Sequence, residues 1–108
     1  MAFDVMTPTK FGQAAITTGV ATLYTVPAST RALVKELSIA NTTAAPINVR
    51  VFMGAGATTA NAFFYDVPVP ANNVLQYNGV QVLNAGDTIQ IQAAAVGLTI
   101  TASGAEAI

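Results

Sequence analysis

Short runs in which apolar and polar residues alternate recur along the whole chain between turn residues, which is the pattern of half-buried strands. In the clearest run Ile47, Val49, Val51 and Met53 alternate with Asn48, Arg50 and Phe52, so one face is apolar and the other carries a charge and an exposed ring. Residues 15–18 and 21–26 read as two earlier strands, ended by Gly19 and by Pro27, which fixes φ and cannot donate to a central ladder. Over 31–41, Val34, Leu37 and Ile39 look inward, but their spacing slips by one residue at Lys35-Glu36. That slip predicts a bulge.

Beyond Met53 the small residues of 54–61 form a flexible connection, and 62–70 reads as a strand placed at an edge or ended by Pro68 and Pro70. Asn72-Asn73 turns the chain, 74–77 pairs, and Asn78-Gly79 is the signal of a two-residue hairpin leading to 80–83. A further turn, Asn84-Ala85-Gly86-Asp87, precedes strands over 88–94 and 98–103, with Ile89, Ile91, Leu98 and Ile100 facing in. The pattern gives eight or nine strands and no helix. The expected class is therefore all-β, an antiparallel β-sandwich, and strand count alone leaves the jelly-roll and immunoglobulin-like versions both open.

Residues 1–13 lie outside that pattern. Phe3, Val5, Met6 and Phe11 are spread around Pro8, which predicts an extended N-terminal arm ahead of a sandwich domain over 14–108. Such an arm is either a frayed end or a segment that orders on a neighbour, and the second reading makes Phe3, Met6 and Phe11 candidate interface residues.

Composition narrows function by what it removes. Among 108 residues there is no histidine and no cysteine, so neither an imidazole base nor a thiolate is available. The five carboxylates are scattered, with no spacing that would ligate calcium, and Gly54-Ala55-Gly56 lacks the Lys-Ser/Thr and helix of a phosphate loop. Asp87 reads as a turn cap and Asp66 as a solvated strand residue. No enzyme, cofactor or metal site is expected. Four basic against five acidic residues, net −1, is a thin supply for phosphate contacts, so no nucleic acid is expected as a partner. No stretch approaches the ~20 apolar residues of a spanning helix, and no membrane is expected either. The first residues lack the basic and apolar regions of a signal peptide, which implies synthesis in a cytoplasm without export.

Phe63-Phe64-Tyr65 is more informative, because neighbours in a strand point to opposite faces and at least one of the three must leave the core. Phe64 either covers a sheet edge within the subunit or, with Phe52 on the polar face of its own strand, meets another protein. Stacking on carbohydrate is a third option.

The run from Thr22 to Thr42, with Leu23-Tyr24-Thr25-Val26-Pro27-Ala28, Arg31-Ala32, Val34-Lys35 and Asn41-Thr42, resembles a pattern of small tailed-bacteriophage virion proteins. Val82-Leu83-Asn84-Ala85-Gly86-Asp87 resembles their second signature. In this chain Ser29-Thr30 stands where the pattern has a glycine-containing turn. The resemblance implies a jelly-roll-like sandwich and a capsid decoration, or cement, protein on the virion surface, with the major capsid protein as partner. Its subunits would form a homo-oligomer, trimers being favoured over dimers. The alternative roles are a tail, baseplate or head-fibre accessory subunit and, from another class, a carbohydrate-binding module.

Overall fold

The computed structural model describes residues 5–108. Its strands are β1 (Met6–Ile16), β2 (Ala21–Thr25), β3 (Arg31–Asn41), β4 (Ile47–Gly54), β5 (Ala62–Val69), β6 (Asn73–Leu83), β7 (Thr88–Ala93) and β8 (Leu98–Ala107). A short 3-10 turn at Thr59–Asn61 leads into β5. β1 pairs with β8, β2 with β7, β3 with β6 and β4 with β5, all antiparallel, as if one long hairpin had been folded over on itself. Further pairing of β3 with β8 and of β4 with β7 gives two four-stranded sheets, ordered β1-β8-β3-β6 and β2-β7-β4-β5. That nesting is a jelly roll, and it decides between the two sandwiches that strand count left open. Strands of the first sheet run to 10 or 11 residues and those of the second to between 5 and 8. The two are called the long and short sheets below.

The core lies between the sheets. Val34, Leu37 and Ile39 of β3 join Leu98, Ile100 and Ala102 of β8 on one side, and Val49, Val51, Ile89 and Ile91 of the short sheet on the other. The slip in β3 is a bulge at Lys35, skipped in the register with both β6 and β8. It lets Val34 and Leu37 share the inner face despite their odd spacing.

Two expectations are corrected. Met6 to Gln13 are not a separate arm: from Met6 onward they belong to β1, so the boundary at residue 13 falls inside a strand. Pro8 is tolerated because β1 is an edge strand, and the register shift between Lys10 and Gly12 hides the alternation. Gly12 lets the Leu23 side chain approach closely there: a Cβ would stand 2.6 Å from it, so Leu23 would have to shift for any other residue. Nor does Asn78-Gly79 make a hairpin. Both lie within β6, whose register against β3 shifts opposite the Lys35 bulge, and pairing along the whole of β3 outweighs the local turn preference.

The residues that carry the family resemblance hold the scaffold together. Asn41 is buried with all its capacity used: its Nδ2 donates to the Ala45 carbonyl at 2.8 Å and the Val69 carbonyl at 3.0 Å. Its Oδ1 accepts from the Thr43 N–H at 2.9 Å and the Thr43 hydroxyl at 2.7 Å. The two signatures also meet, Val26 N–H donating to the Asp87 carbonyl at 2.9 Å and Gly86 N–H to the Val26 carbonyl at 3.1 Å. Ser29 stands at φ +57°, the left-handed conformation that suits glycine, so the turn keeps the glycine-type geometry without the glycine. The Asp87 carboxylate caps its turn, accepting from the Asn84 N–H at 2.9 Å.

Candidate functional site

The two sheets present unlike outer faces. On the long sheet, cross-strand register places side chains in rows that run over all four strands. One row is Pro8, Ala105, Leu33 and Val82, and beside it lie Met6, Ala107 and Arg31. Ala105 and Ala107 are shaded by larger neighbours, whereas Met6 is 49% exposed, Val82 52% and Val80, two residues before it, 57%. A neighbouring row, Lys10, Ser103, Glu36 and Asn78, bounds this apolar area with charge. Farther along the same face the rows become Gln13, Thr101, Ser38, Gln76 and then Ala15, Thr99, Ala40, Val74.

The outer face of the short sheet is built by a second bulge. Val67 pairs with Val49 and Phe64 with Val51, so Tyr65 and Asp66 together stand opposite Arg50. Asp66 takes φ +54°, which aspartate tolerates better than most residues. Both side chains then reach Arg50. Its Nε and one terminal nitrogen donate to the two Asp66 oxygens at 2.7 and 3.1 Å, and its guanidinium carbon lies 4.2 Å from the Tyr65 ring centroid. The hydrogen bond from Arg50 holds the Asp66 carboxyl below its ordinary range, and the same bond raises Arg50. Beside the pair is a hollow of about 240 Å³ lined by the polar side chains of Thr18, Asn48, Arg50, Asp66 and Gln92 together with Ala93 and Ala94.

The expected interface residues are dispersed over this framework. Phe3 lies outside the described residues. Met6 is on the apolar area of the long sheet. Phe11 points inward and packs on Tyr24, ring centroids 4.5 Å apart. Phe52 does point to the outer face of the short sheet, but it is only 4% exposed, because Tyr65 meets it edge-on at 6.4 Å. Its expected role as an exposed contact is therefore corrected. Phe64 packs against the core beside Phe63, which in turn meets Tyr77 of β6. These rings close the sandwich edge between β5 and β6, which places Phe64 as an edge cover within the subunit rather than as the interface residue expected of it. The aromatic that leaves the core is Tyr65.

Val80, Val82 and Leu33 escaped the sequence reading because the supposed hairpin at Asn78-Gly79 concealed the register of β6. The Arg50 cluster did leave a signal. Phe64 and Val67, both turned inward, are three apart, the same slip of phase that marks Val34 and Leu37.

Away from these faces the Tyr24 hydroxyl donates to the Glu106 carboxylate between the sheets. Burial foremost, then this hydrogen bond and the carboxylate's charge, push the Tyr24 pKa well above its ordinary value. Among the described residues no three His, Cys, Asp or Glu side chains gather as a metal site, and no helix is long and apolar enough to cross a membrane.

No protein-family model matches the chain, and no curated protein matches it. A solved structure does: a chain from "Bacillus endospore appendages form a novel family of disulfide-linked pili" is similar over 95% of this chain and 86% of that one, with a TM-score of 0.58 and 15% identity. At that identity the likeness is one of fold.

Proposed function

We propose that this chain is a non-enzymatic structural subunit that decorates the outside of a bacteriophage capsid and stabilises it, attaching through the outer face of the long sheet. The observation that carries this reading is the apolar row Pro8, Ala105, Leu33 and Val82, extended by Met6 and Val80 and bounded by charge. A contiguous apolar area rimmed by polar residues is the mark of a protein contact. Its partner is the major capsid protein. A small contact energy repeated over many copies then opposes the outward pressure of packaged DNA. With little charge in the contact, attachment is weakened less by salt than one built from ion pairs.

The resemblance in the Val26–Asp87 and Asn41 regions supports a virion role, and adjacent subunits grouped as trimers fit it. The appendage chain is described as part of disulfide-linked pili, whereas these 108 residues include no cysteine with which to form such a link. That neighbour, together with an elongated shape of 48 × 24 × 18 Å, favours as second reading a tail or head-fibre accessory subunit. Labelling purified particles with an antibody to this chain separates the two. Label spread over the head supports decoration, and label confined to the tail or to fibres overturns it in favour of the second reading.

A further inference from the structure

We propose that the hollow beside Arg50 and Asp66 binds a single uncharged pyranose ring of a surface glycan. A chain attached through the long sheet would carry this hollow on the opposite side of the sandwich, turned away from the shell. The inference does not depend on that attachment.

The chemistry of the lining selects the ligand class. Arg50 and Asp66 neutralise each other, so an anion would meet the carboxylate and a cation the guanidinium. Asp66 spends one lone pair of each oxygen on Arg50 and keeps the others as acceptors, while Arg50 retains N–H donors beyond the two used. Asn48 brings an amide with both a donor and an acceptor, and Thr18 brings a hydroxyl. Gln92 donates to the Thr18 carbonyl at 3.1 Å, which fixes its amide and leaves its oxygen as an acceptor. Adjacent sugar hydroxyls, each at once donor and acceptor, match such a mixed set, in which hydrogen bonds hold the planar groups of Arg50, Asp66 and Gln92 in place. An apolar ligand would leave them unpaired, at a cost.

Geometry adds a second argument. Asp66 is held in a left-handed conformation in the middle of a strand, and bulges with such residues re-aim side chains at binding sites. Stacking Arg50 on Tyr65 fixes the guanidinium before any ligand arrives, which lowers the ordering cost of binding. A volume of about 240 Å³ is below the ~300–1,000 Å³ of sites for drug-sized ligands, so one ring fits and a longer oligosaccharide would extend into solvent.

The test is a titration of the full-length, isotope-labelled chain with methyl glycosides of glucose, galactose, mannose, rhamnose and N-acetylglucosamine, followed by amide and side-chain NMR shifts. Saturable shifts at Thr18, Asn48, Arg50, Asp66 and Gln92 with at least one glycoside are expected. Asp66→Asn, which keeps the left-handed conformation accessible, should retain the folded spectrum and weaken that binding at least about tenfold, the scale of one lost charge-assisted hydrogen bond. Absence of shifts with all five glycosides, shifts centred elsewhere, or equal binding by Asp66→Asn overturns the proposal. None of these results bears on the long sheet, so the attachment reading stands or falls separately.

Discussion

The outer faces of the two sheets share one backbone architecture and treat their apolar side chains in opposite ways. On the short sheet an aromatic, Phe52, is covered from within the subunit by Tyr65, which a bulge turns outward together with Asp66. On the long sheet Met6, Val80 and Val82 have no such cover. The contrast teaches that an outward-pointing apolar residue is informative only once its neighbours are known. A bulge that adds one residue to β5 converts an exposed ring into a buried one, whereas the regular register of β1, β8, β3 and β6 near Leu33 leaves a row open.

Truncation should break this comparison most sharply. Phe52→Ala is expected to cost about 3–5 kcal/mol in denaturant unfolding, the range for a buried aromatic. Val82→Ala should stay within about 0.5 kcal/mol, because its side chain is exposed in the isolated subunit. Comparable losses would mean that the two faces do not differ in burial.

Asn41 tests what the faces share, since its side chain ties β3 of the long sheet to Val69 of the short one. Asn41→Ala should cost about 2–3 kcal/mol by leaving buried carbonyl and N–H groups unpaired, measured by the same unfolding experiment. A loss below about 1 kcal/mol would show that water replaces the amide. Ser29→Gly should act in the other direction, raising stability by about 0.5–1 kcal/mol as the left-handed turn loses its Cβ strain.

The smallest effect is that of pH. Asp66 has a lowered pKa in the folded chain, so its contribution is present above the ordinary carboxylate value of 3.8 and is lost as pH falls through the folded pKa. Tyr24 has a raised pKa, so its contribution is complete below the ordinary value of 10.0 and declines as pH rises beyond it. Thermal unfolding should therefore be nearly unchanged between about pH 5 and 9, with no histidine to titrate. A marked dependence inside that window would show a titrating group outside this description.

Much of the scaffold was legible in the alternation of side chains. Ile47, Val49, Val51 and Met53 share a face, and the slip at Lys35 is a bulge, because burial imposes a period of two that only an extra residue can shift. The first strand was not, because Pro8 and the irregularity at Phe11 erase that period at a sheet edge. The outer faces of the two sheets were the least legible. Whether Phe52 is covered depends on Tyr65, which is distant in sequence and placed by tertiary pairing, and the row through Leu33 exists only once four separated strands are in register. Local patterning reports which side of a strand a residue takes, not what lies next to it there.

On the proposed function, the open row of the long sheet is the attachment face. The most direct measurement mixes undecorated heads with the wild-type chain or with Val82→Asp and determines the bound fraction by sedimentation. Attachment through that row predicts saturable binding of the wild type and at least about a tenfold loss for Val82→Asp, whose charge would be buried in the contact without a partner, while its unfolding remains that of the wild type. Equal binding of the two proteins would contradict it.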